Sequence, residues 1–111
     1  LDKSIKRGDV YWINFDPPRG RRPTVVIQND IGNEVSGTII VAIITTALRG
    51  KSYPTDVVLP DGILPQKNSR VLAGTIITIK KEDLGDYETS LPPDIMEQID
   101  SALRVSLALD D

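Results

Sequence analysis

Apolar and polar positions along this chain fall into short blocks, most of them the length of a β-strand. Asp9-Val10-Tyr11-Trp12-Ile13-Asn14-Phe15 is rich in β-branched and aromatic side chains. It predicts a strand, with Lys6-Arg7-Gly8 as the turn leading into it. Over Asp16-Pro17-Pro18-Arg19-Gly20-Arg21-Arg22-Pro23, prolines and glycine break any ladder, which predicts a loop. Thr24 to Gln28 is apolar enough to be buried on both faces and predicts a second strand. Asn29 to Gly37 is polar, contains glycine and reads as a loop. Thr38 to Thr46 predicts the third strand. It holds the longest apolar run, Ile39 to Ile44, far short of the ~18 residues of a membrane span.

A short strand is expected around Thr55 to Leu59, then a turn at Asp61-Gly62. Ser69 to Ala73 and Thr75 to Ile79 read as two strand pieces, with Gly74 as a bulge or bend between them. Lys80 to Leu84 suits one helical turn. Ser90-Leu91-Pro92-Pro93-Asp94 reads as a helix start, with a hydroxyl cap, early prolines and an early carboxylate. From about Pro93 to Leu109, residues Ile95, Ile99, Ala102, Leu103, Ser106 and Leu107 fall on one helical face. Five or six short strands followed by one amphipathic helix predict a small β-barrel sealed by that helix. The length fits one domain over residues 1–111.

Composition narrows the chemistry. With no cysteine and no histidine, the chain has no disulfide framework, no thiolate nucleophile and no imidazole base or metal ligand. Catalysis must use carboxylates, hydroxyls, Lys, Arg or backbone amides. The net charge is −3, but it is unevenly spread. Residues 1–55 hold eight basic and five acidic side chains, and residues 56–111 hold five and eleven. That asymmetry points to a basic working face on an acidic body.

Three sets of residues could carry chemistry. Arg19, Arg21 and Arg22 form a local positive pole, and guanidinium grips phosphate through parallel hydrogen bonds. Pro23 restricts Arg22 to extended backbone geometry. Thr45-Thr46 ends the most apolar strand, where a hydroxyl on a rigid element can meet a substrate oxygen. Asp16, Asp30, Asp56 and Asp61 lie in separate loops without metal-ligand spacing, and read as solvated carboxylates.

Together these stretches resemble the MazF/PemK family of bacterial toxins. Lys6-Arg7-Gly8-Asp9-Val10-Tyr11-Trp12 is similar to the family's opening strand. Arg22-Pro23-Thr24-Val25-Val26-Ile27-Gln28-Asn29-Asp30 resembles its most distinctive motif, and Val41-Ala42-Ile43-Ile44-Thr45 the strand that ends in its functional threonine. Tyr53-Pro54-Thr55-Asp56-Val57, Asn68-Ser69-Arg70-Val71-Leu72 and the stretch from Asp100 to Leu109 match later blocks.

The resemblance implies a mainly β fold with a C-terminal helix, a small SH3-like barrel of the MazF/PemK/CcdB kind, paired into a homodimer. It implies a sequence-specific and metal-independent endoribonuclease that cuts single-stranded messenger RNA, and the missing cysteines fit a reducing cytoplasm. It further implies 2′-hydroxyl attack without a cofactor, and inhibition by a cognate antitoxin with a disordered acidic segment. Arg22 and Thr45 are then the expected catalytic residues. Arg19 and Arg21 would bind flanking phosphates, and Pro54, Asn68, Ser69 and Thr75 would contact bases.

Two departures stand out. Relatives usually carry a Gly-Ser-Glu-Gln-like stretch in the first loop, whereas Gly20 here meets Arg21 directly. The loop is short by about five residues, and loops of this kind are often long and mobile, so the expectation is that further residues belong there. Gly74-Thr75 also stands where several relatives have an acidic residue and Gln. The alternative from another class is a non-catalytic CcdB-like toxin that binds DNA gyrase. That mode is implied to use a Trp-Gly-Ile-like end, whereas the one Trp here is Trp12. An SH3-like peptide-binding module would need more exposed aromatics than the 5% present.

Overall fold

A computed structural model describes residues 4–46 and 50–109. Six strands form one antiparallel sheet, in spatial order β4-β5-β3-β2-β1-β6. They are β1 (Asp9–Asn14), β2 (Arg21–Val26), β3 (Thr38–Thr45), β4 (Asp56–Val58), β5 (Arg70–Lys80) and β6 (Tyr87–Ser90). Helix α1 (Asp30–Val35) links β2 to β3, a 3-10 turn (Lys81–Asp83) follows β5, and α2 (Pro93–Leu107) follows β6.

Strand alternation gives the sheet two apolar faces. On one, Val10, Val25, Ala42, Ile44, Val57, Val71 and Ala73 pack under Ile95, Ile99, Ala102 and Leu103 of α2. This is the helix-sealed core that the sequence pattern predicts. On the other, Ile5, Tyr11, Ile13, Val26, Ile39, Val41 and Leu84 form a second cluster. β2 contributes to both, which is why Val25 and Val26 are each fully buried. Burial, reinforced by the nearby charge of Asp9 and by Tyr87, pushes the Tyr11 hydroxyl above the ordinary tyrosine range.

Several local expectations change. The stretch expected as a loop after β2 contains α1. Asn29 caps it by accepting from the Gly32 amide at 2.8 Å. Its apolar residues Ile31 and Val35 face solvent. The buried residue is Asn33, bonded to the Gln28 carbonyl and to Asp30. A helix anchored by a polar side chain shows no apolar stripe, so hydrophobic periodicity misses it. β6 is also new, and Ser90 belongs to it. The Ser90 hydroxyl donates to Asp9 at 2.7 Å, whereas Pro92 caps α2 without a side-chain bond. The two pieces expected around Gly74 form one strand whose register against β3 shifts between Ala42 and Ile43.

The first hairpin closes without further residues. The Phe15 amide bonds to the Gly20 carbonyl at 2.9 Å and the Arg19 amide to the Asp16 carbonyl at 3.1 Å. Gly20 takes φ +68°, a left-handed conformation that glycine adopts without steric cost. β2 therefore begins at Arg21, inside the stretch expected to be loop.

Candidate functional site

The register of the sheet fixes which side chains share a surface. Arg22 pairs with Ile13 on β1, and Thr45 pairs with Arg70 on β5. Between β2 and β3 the paired residues end at Thr24 and Ile43. Pro23 has no N–H with which to continue the ladder. The register of the last pairs, continued two residues past that end, sets Arg22 opposite Thr45 on the neighbouring strand. Both side chains then lie on the face of Thr24 and Ile43. Arg22 and Thr45, twenty-three positions apart in sequence, thus belong to the same face of neighbouring strands, just beyond the same end of their ladder, and both are half-buried.

Arg22 is aimed by its own hairpin. Its Nε donates to the Arg19 carbonyl at 3.0 Å. Among the described residues its two terminal amino groups make no hydrogen bond or ion pair with the protein. Arg19 sits on the same hairpin with its guanidinium 5.3 Å from the Phe15 ring centre.

The third arginine of the cluster goes elsewhere. Adjacent strand residues point to opposite faces, so Arg21 lies on the reverse side from Arg22. There it stacks over Trp12 at 4.2 Å and pairs with Asp86 at 3.3 Å. The Trp12 ring N–H is held by Glu88 at 2.8 Å.

The expected base contacts are spread out. Asn68, with a left-handed φ of 60°, is exposed just before β5, at the Thr45 end of the sheet. Ser69 is next to it but buried, its hydroxyl donating to the Gln66 carbonyl at 3.2 Å. Pro54 is exposed on the segment that leads into β4. Thr75 is half-buried in the irregular part of β5, five residues and roughly 16 Å along the strand from Arg70.

Sequence reasoning passed over Arg70. It is the direct neighbour of Thr45, at the first position of β5. Its Nη2 donates to the Gly50 carbonyl at 2.9 Å and its Nη1 to the Lys51 carbonyl at 3.0 Å, with Asp56 3.9 Å away. Among the described residues no three carboxylates converge as metal ligands.

Comparison with known proteins gives a consistent result. Residues 6–107 match the family described as PemK-like, MazF-like toxin of type II toxin-antitoxin system. The chain is 42% identical to Endoribonuclease EndoA of Bacillus subtilis (strain 168), over 96% of this chain and 97% of that one. It is 30% identical to a mycobacterial endoribonuclease solved with its cognate antitoxin, with a TM-score of 0.83 over 96% and 98% of the two chains. A MazE–MazF structure from Deinococcus radiodurans is 25% identical, with a TM-score of 0.79 over 98% of this chain and 100% of that one.

Proposed function

The chain belongs to the PemK-like, MazF-like toxins of type II toxin–antitoxin systems, and on that premise we infer that it cleaves RNA and is held in check by a cognate antitoxin. It is an endoribonuclease toxin. The gyrase-binding alternative is set aside, because the relatives are ribonucleases and not CcdB-like proteins.

The substrate we assign is single-stranded messenger RNA, and the cytoplasm, where that RNA is found, is the proposed place of action. The 2′-hydroxyl attacks the adjacent phosphorus. The O2′–P bond forms as the P–O5′ bond breaks, leaving a 2′,3′-cyclic phosphate and a 5′-hydroxyl. The 2′-oxygen loses a proton and the 5′-oxygen gains one. Arg22 donates its free amino groups to the non-bridging phosphate oxygens, where negative charge accumulates. Thr45, one strand away, hydrogen-bonds the phosphate or the 2′-hydroxyl and fixes the in-line approach. Arg19 holds a flanking phosphate. No cofactor or metal takes part in this scheme.

The observation that supports the reading is that the β2–β3 register, continued past Thr24 and Ile43, sets Arg22 opposite Thr45 on one face. The same cationic face suits the inhibitor, because a groove for a polyanion also accepts an acidic disordered peptide. A pair of chains, as the family resemblance implies, is the proposed working unit, and sedimentation of the free protein measures it. The direct test is incubation with a long single-stranded RNA in EDTA. Cuts ending in cyclic phosphate are expected. Intact RNA, or cutting that requires added metal, would contradict the mechanism.

A further inference from the structure

The Arg70 side chain is 13% exposed and the Asp56 carboxyl side chain 7%. A buried pair of opposite charges is costly to break, so it fixes whatever it connects. What it connects is the segment beside the site. Arg70 bridges the carbonyls of Gly50 and Lys51. The Asp56 carboxylate accepts from the Tyr53 amide at 3.1 Å, and the Asp56 amide bonds back to the Tyr53 carbonyl at 2.8 Å. The Thr55 carbonyl accepts from the Ala73 amide at 2.8 Å, tying the segment to β5. Out of this framework stands Tyr53, whose side chain is an exposed aromatic on a pinned backbone.

We propose that Arg70 is a positioning residue that holds residues 50–56 as a ledge beside Thr45, and that Tyr53 on this ledge stacks a base next to the cleaved bond. Single-stranded RNA is recognised by splaying bases onto aromatic rings, and such a stack needs a ring held in place. Arg70 therefore acts on specificity through Tyr53 and not on phosphate. The proposal rests on the ribonuclease reading.

The test begins by mapping wild-type cuts on a long RNA, which settles that reading by itself. An oligoribonucleotide with the preferred site then gives kcat and KM for Arg70→Ala, Arg70→Lys, Tyr53→Ala and the double variant Arg70→Ala/Tyr53→Ala. The lysine keeps the charge facing Asp56 but cannot bridge both carbonyls. Arg70→Ala and Tyr53→Ala are each expected to raise KM about tenfold, the scale of one lost base stack, with kcat changed far less. Both broaden the cut-site preference, and the double variant adds little to either. Exchange of the Asp56 amide should quicken in Arg70→Lys. If Arg70→Ala does not fold, Arg70→Lys decides. A folded Arg70 variant with wild-type KM and cut sites overturns the proposal, as does an unaffected Tyr53→Ala. Failure of both Arg70 variants to fold overturns it too, because the residue is then purely structural.

Discussion

At the start of β2, Arg22 uses one N–H to hold the Arg19 carbonyl, and its terminal amino groups make no further hydrogen bond among the described residues. At the far end of the same strand, every conspicuous polar group is occupied by the backbone. The Gln28 side-chain Nε2 donates to the Thr38 carbonyl at 3.0 Å, and the Asn29 side chain accepts from the Gly32 amide. Asp30 accepts from the Arg7 amide at 2.6 Å, and this bond is the main reason its carboxyl lies below the usual range. The two motifs are equally prominent in sequence. What separates them is the hydrogen-bonding capacity that the fold leaves unused. One end of β2 keeps donors unused by the protein, and the other leads into a helix.

Substitutions at the two ends should therefore fail in different ways. Arg22→Ala is expected to lower kcat by about 10²–10³, the loss typical of one charge-stabilising donor, with an unchanged melting temperature. A parallel loss of both would show that Arg22 supports the fold. Next come the two neighbours of Arg22. Each phosphate contact contributes about 0.7 to the slope of log affinity against log salt for a single strand. Arg19→Ala should flatten the salt dependence of RNA binding by that amount. Arg21→Ala should leave it unaltered, since that guanidinium is on the reverse face against Trp12 and Asp86.

The opposite end gives smaller effects, on stability alone. Asn29→Ala is expected to cost about 1 kcal/mol through loss of the α1 cap, measured by denaturant unfolding, with kcat unaffected. Asp30→Asn adds a pH signature. A carboxyl whose pKa is lowered by folding stabilises above its unfolded value, near 3.8, and loses that contribution as pH falls through the folded value. The stability gap between wild type and Asp30→Asn should thus be constant near neutrality and close in acid. A gap that widens in acid would reverse the assignment.

Much of this organisation is legible in the sequence, and the exceptions have physical causes. The strands and α2 follow from apolar blocks at periods of two and 3.6. Arg22 and Thr45 are visible as an arginine held by proline and a hydroxyl ending an apolar strand. That they fall on one face of neighbouring strands is a matter of register, which no local pattern specifies. Proximity in sequence also misleads. Arg21 adjoins Arg22 but faces the other way, while Arg70 is far along the chain and directly beside Thr45. α1 was hidden because Asn33, not an aliphatic side chain, anchors it. β6 was hidden because Tyr87-Glu88-Thr89-Ser90 shows no clear alternation and gains its place only by pairing with β1.

The central claim is that Arg22 and Thr45 act on one phosphate as a unit. A double-mutant cycle on single-turnover RNA cleavage measures this directly, using Arg22→Ala, Thr45→Val and both together. Side chains that share one reacting group are non-additive. The account predicts that the double variant is scarcely slower than Arg22→Ala alone. Rate losses that multiply in full would mean that the two residues work independently, and would contradict it.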